Sequence, residues 1–115
     1  MEKNTENIHE VAMKIILAAG NAREEIQAAL KEMEVFAFTT AEEKLAQAKE
    51  HITTAHSVQT DTIQGEARGE EITFSLLFTH AQDHLMTVMS EWNTAKNLVT
   101  ICRGLDERIS RLEKK

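Results

Sequence analysis

The chain has 115 residues, with 13 Lys and Arg against 19 Asp and Glu and a formal charge of −6 at pH 7. That length suits one domain, residues 1–115, able to bury a core without disulfides or structural metal. The acidic balance argues against nucleic-acid binding and for a basic protein surface as partner. With no Pro, four Gly and one Cys, the composition excludes a disulfide framework and points to an all-α fold.

The first predicted helix runs from about Thr5 to about Val35, where Ile8, Val11, Ile15, Ala18, Ala22, Ile26, Ala29 and Met33 recur at helical spacing. Gly20-Asn21 interrupts its composition but not its phase, which favours a bend over a turn. Phe36 to Thr40 breaks the pattern, and Thr40-Ala41-Glu42-Glu43 has the capping-box form that opens a second helix. That helix carries Ala41, Leu45, Ala48, Ile52, Ala55 and Ile63 inward and fades between Gln64 and Gly69. The third runs from about Glu70 to about Glu113, with the stripe Phe74, Phe78, Ala81, Leu85, Val88, Trp92, Ala95, Val99, Cys102, continued out of phase by Leu105, Ile109 and Leu112. Three long helices with short links give an antiparallel up-down-up bundle, without internal repeats. Cys102, on the stripe, reads as a small core residue and its lone thiol fits a reducing cytoplasm. The start Met1-Glu2-Lys3-Asn4 has no basic stretch followed by an apolar run, so no signal peptide is expected, and no segment has the length and apolarity of a membrane span.

From Ile72 to Ala95 the only charged side chains are Asp83 and Glu91. At about 100° per residue, Asp83 points away from the seam of the third helix. Around it lie Ile72, Leu76, Thr79, Met86, Thr87, Ser90, Thr94 and Ile101, with no basic partner. A solvated face would carry Lys and Glu, so this strip reads as a second burial surface, and three helices leave no element to cover it. Self-association follows as the stronger reading, with a solvated Asp83 as the alternative. Around a threefold axis three Asp83 carboxylates would converge, each pair repelling by about 3 kcal/mol at about 5 Å and an effective dielectric near 20. A shared divalent cation would reverse that, and carboxylates plus water suit Mg²⁺.

His80 and His84 stand four apart, on one flank between the seam and the Asp83 side. The zinc-protease form H-E-x-x-H is excluded by Ala81, and two histidines leave a zinc site short of ligands. Glu6-Asn7-Ile8-His9 has the E-x-x-H spacing of di-iron bundles, but no second copy exists. Two readings remain open on the residues alone: partly buried interface histidines, or a neutral imidazole acting as a phosphoryl-accepting nucleophile with a second ring to hydrogen-bond the phosphoryl oxygens.

The motif His80-Ala81-Gln82-Asp83-His84-Leu85-Met86, preceded by Gly65-Glu66 and Gly69-Glu70-Glu71 and by Ala55-His56-Ser57-Val58-Gln59-Thr60, resembles the enzyme IIA proteins of the lactose/cellobiose class of bacterial sugar phosphotransferase systems. The similarity spans nearly the whole chain. It implies a cytoplasmic homotrimer of three-helix subunits in which His80 is the phosphoryl acceptor and Asp83 the acid that holds one Mg²⁺ on the trimer axis. His84 would contact phosphate and Gln82 would support it. It also implies the carrier HPr as phosphoryl donor and a cognate IIB as acceptor, which feeds a membrane IIC permease. By their chemistry Leu77, Met86 and Met89 would offer adaptable contact surface near the site, with core packing the stronger reading for at least one of them. A non-catalytic helical interaction protein or a regulatory relative is the alternative function.

Overall fold

The computed structural model describes residues 2–114, with side chains from residue 7 onward, so Glu6 of the E-x-x-H spacing lies outside the described side chains. Three helices follow in order: α1 Glu2–Glu34, α2 Phe38–Ala67 and α3 Leu76–Glu113. Asn7 and Ile8 share a cleft with Ile72 and Thr73, just before α3 begins, and Leu30 shares another with Leu98. Glu42, near the start of α2, meets Arg103, near the end of α3. Hence α1 and α3 run in parallel and α2 returns between them, the up-down-up order the sequence predicts.

The core is assembled from one stripe per helix. On α1 the buried residues are Ile8, Ala12, Ile15, Ala19, Ala22, Ile26 and Ala29, alternating steps of four and three. That spacing keeps one stripe on the inner face over the whole helix, and alternate Ala residues let backbones approach closely. The predicted stripe is close to this one, but Val11, Ala18 and Met33 are only partly buried, at its edge. α1 passes through Gly20-Asn21 without interruption, which excludes a turn there.

Three local expectations fail, each for an identifiable reason. The second helix begins at Phe38, not at Thr40, and its N-cap, Ala37, makes no side-chain cap hydrogen bond. α1 ends instead in a Schellman turn: Ala37 N–H donates to Glu32 O and Phe36 N–H to Met33 O, with Phe36 in the left-handed region at φ 58°. Burying Phe38 on the core compensates for the missing cap. Further along α2, Ile63 is exposed and the buried stripe passes through Gln59. Finally, α3 starts six residues later than predicted, because Gly69, at φ 95°, closes a second Schellman turn with bonds Glu70 N–H to Gly65 O and Gly69 N–H to Glu66 O. Residues 70–75 stay non-helical until Ser75, in an extended conformation, caps α3 by accepting from Phe78 N–H at 3.1 Å. Phe74, placed on the stripe by periodicity, therefore lies outside the helix and is 83% exposed.

A Trp92 N–H bond to Leu45 O, 2.8 Å, ties α3 to α2. The rod measures 71 × 22 × 18 Å with a radius of gyration of 18.6 Å, well above the ~13 Å of a compact chain of this length. Much apolar surface is left open on α3: Leu76, Met86, Leu98, Ile101, Leu105, Ile109 and Leu112 are all exposed.

Candidate functional site

Ser75 fixes the start of α3, so His80 falls in its second turn and His84 one turn further on. The rings lie parallel, within 2°, with centroids 6.3 Å apart. His80 is exposed and His84 is half-buried. Burial holds the His84 pKa below its ordinary 6.5, helped by the Arg23 guanidinium and then by His80, while Glu91 pulls the other way. Neutral His84 keeps one ring N–H to donate and one nitrogen to accept.

Beneath the histidines Arg23 of α1 grips Glu91 of α3 in a two-pronged ion pair, Nε to Oε2 at 3.2 Å and Nη2 to Oε1 at 2.7 Å. Glu91 lies seven residues after His84, close to the same angular position on α3. Both partners are more than a third exposed on their side chains, at 38% and 34%, so the pair fixes geometry more than it adds stability. Arg23 is the site neighbour that the sequence does not reveal, because its partner is 68 residues away. The only hint was Glu91, an otherwise uncompensated charge in an uncharged stretch.

Gln82 is not beside His80 within the chain. Two residues apart on a helix, the side chains diverge by about 200°. Gln82 faces α2, where it accepts a hydrogen bond from the buried Gln59 (Nε2 to Oε1, 3.4 Å). There it lines an open cleft of about 290 Å³ together with Glu66, Ser75, Phe78 and Thr79. Asp83 is exposed in the single chain and forms no ion pair among the described residues. No group of three or more His, Cys, Asp or Glu that could hold a metal occurs among the described residues. Leu77 and Met89 pack partly against the core, whereas Met86 is 54% exposed.

Residues 10–103 match the protein family described as the lactose/cellobiose-specific IIA subunit of the phosphotransferase (PTS) system. The chain belongs to this family. It is 38% identical over 105 residues to the cellobiose-specific EIIA component of Lactococcus lactis subsp. lactis, covering 91% of this chain and 87% of that one. It has the same identity and coverage with the galactose-specific EIIA component of Lactococcus lactis subsp. cremoris. A solved structure of the Escherichia coli chitobiose IIA–HPr complex contains a chain 34% identical to it, with a TM-score of 0.74 over 86% of this chain and 96% of that one. As a IIA component the chain is a phosphotransferase protein of sugar transport. None of its described helices is long and apolar enough to cross a membrane.

Proposed function

We propose that this IIA component is a cytoplasmic phosphocarrier that takes a phosphoryl group from HPr onto His80 and passes it to a cognate IIB component, which serves a membrane IIC permease. The observation that carries the reading is the exposed His80 paired with a half-buried, neutral His84 inside the family-matched segment. In the transfer the lone-pair nitrogen of the His80 ring forms its bond to phosphorus as the bond from phosphorus to the donor breaks; the electron pair of the broken bond stays on the donor, and the proton on the other ring nitrogen of His80 stays in place. His84 donates its N–H to a phosphoryl oxygen. Such exchanges depend mainly on alignment and local electrostatics, since donor and acceptor meet in line across the phosphorus. The sugar is not set by this chain: relatives named for cellobiose and for galactose are equally similar to it.

The working unit is a homotrimer with α3 at its centre. The exposed apolar row on α3 and the excess radius of gyration support this. With Asp83 turned to the axis, His80 lies about 60° to one side and Gln82 about 100° to the other. In a threefold ring unlike flanks meet, so the His80 flank of one copy faces the Gln82 flank of the next. One carboxylate per chain makes no cation site, whereas three Asp83 side chains together offer the oxygen donors Mg²⁺ takes. The ion would neutralise three converging charges and would take no part in phosphoryl transfer.

Incubation with phosphoenolpyruvate, enzyme I and HPr, followed by intact-mass measurement, should show one added phosphoryl group per chain, labile in acid and stable in base. His80→Ala should abolish it. Labelling of that variant at the wild-type level would overturn the assignment, and labelling that IIB cannot discharge would favour a regulatory role.

A further inference from the structure

We propose that Gln59 is a positioning residue for phosphoryl transfer: it sets the orientation of the Gln82 amide so that Gln82 presents donors, not an acceptor, to the phosphoryl group. Gln59 occupies a place on α2 that its neighbours fill with apolar groups, following Leu45, Ala48, Ile52 and Ala55 on the buried stripe, and it is only 6% exposed. An amide in such a place loses water, which is unfavourable unless a hydrogen bond replaces it. The bond it makes, Nε2 to Gln82 Oε1 at 3.4 Å, reaches across the helix interface to a residue inside the phosphoryl-site motif.

A carboxamide has one carbonyl oxygen and one NH₂ group, so binding the oxygen inward leaves the NH₂ as the outward group. Gln82 lines the open cleft beside Thr79 and Ser75, on the flank that faces His80 of the next copy. The inference rests on the phosphocarrier and trimer readings above. A phosphoryl dianion there meets two N–H donors, whereas the flipped amide would set oxygen against oxygen. Gln59 does not touch the phosphoryl group, and acts only through Gln82.

The test is HPr-dependent labelling of the full chain, with initial rates taken over a range of HPr concentrations. Gln59→Met keeps the length of the side chain and removes its amide. It should melt at or above the wild-type temperature, yet transfer about three- to tenfold more slowly, the worth of one neutral hydrogen bond, with the loss in kcat and the KM for HPr unchanged. Adding Gln59→Met to Gln82→Ala should cost nothing more, since the positioned group is already gone. Gln59→Leu serves if the Met variant packs poorly. A folded Gln59→Met or Gln59→Leu chain that transfers at the wild-type rate overturns the proposal, as do losses that multiply in the double variant. If wild-type protein takes no phosphoryl group on His80, the phosphocarrier reading has failed instead.

Discussion

On one face of α3, Ala81, Leu85, Val88, Ala95 and Val99 are buried in the bundle, while on the opposite face Leu76, Met86 and Ile101 stay 54 to 75% exposed around Asp83. The inner face carries aliphatic groups in regular steps of three and four, enough to specify one packing without help. The outer face mixes Thr79, Thr87, Ser90 and Thr94 with large apolar residues, and is neither charged enough for water nor closed by the chain. Toward its C-terminal end the same face becomes more apolar, through Ile101, Leu105, Ile109 and Leu112. One helix therefore serves two tasks, folding the chain with one side and, as we propose, assembling three chains with the other.

Truncation should separate these tasks most clearly. Leu85 is 0% exposed, and Leu85→Ala should cost about 2–5 kcal/mol of stability, lost transfer energy plus a cavity, measured as a lower denaturant midpoint. A charge on the outer face should act differently: Ile101→Asp should move the sedimenting species from about three chain masses toward one while helical circular dichroism is retained. Equal losses of fold in both variants, with assembly unchanged, would erase the distinction between the faces.

The inner face was legible in the sequence because its period is long and regular, and stripes on all three helices emerge from spacing alone. Helix starts were less legible. The Schellman turn at the end of α1 puts Phe36, a residue with a Cβ penalty, in the left-handed region, and no local signal marks that; the apparent capping box at Thr40 was the better local match. At α3 the signal was present but outweighed: Ser75 is a good cap and Gly69 a good C-terminal stop, yet Phe74 stood in phase with the stripe. Of the candidate site, His80, Gln82, Asp83 and His84 stand within five positions of one another, and so short a motif can be proposed from the sequence alone. The pairs Arg23–Glu91 and Gln59–Gln82 join residues 68 and 23 apart, and only the folded chain brings them together.

Asp83 tests what the outer face tolerates. If the three carboxylates share an ion, a chelator should loosen wild-type assembly and leave Asp83→Leu unaffected, because leucine packs where charge repelled. Sedimentation at several concentrations with and without magnesium reads both. A wild-type trimer that ignores the chelator and holds no metal by elemental analysis after magnesium exposure would refute the ion. A tighter Asp83→Leu trimer would then show that repulsion limits assembly.

The smallest effect lies on the flank between the two faces, at His84. Its pKa is lowered from 6.5 by burial first, then by Arg23 and His80. A histidine with a depressed folded pKa binds fewer protons folded than unfolded, so its contribution to stability is fully present above 6.5 and is lost as pH falls through the lowered value. Because His84 is only half-buried, that loss should be modest. Ring-proton NMR titration isolates it better than a melt. Arg23→Met removes a neighbouring cation and leaves the Glu91 carboxylate unpaired, and both changes should raise the His84 midpoint. Glu91→Gln removes the one opposing group and should lower it further. A midpoint that moves in neither variant would mean that His84 does not sense the ion pair, leaving burial and His80 as the causes of the shift. Opposite movements in the two variants would establish that Arg23 and Glu91, joined from α1 and α3, hold the protonation state of the ring beside His80.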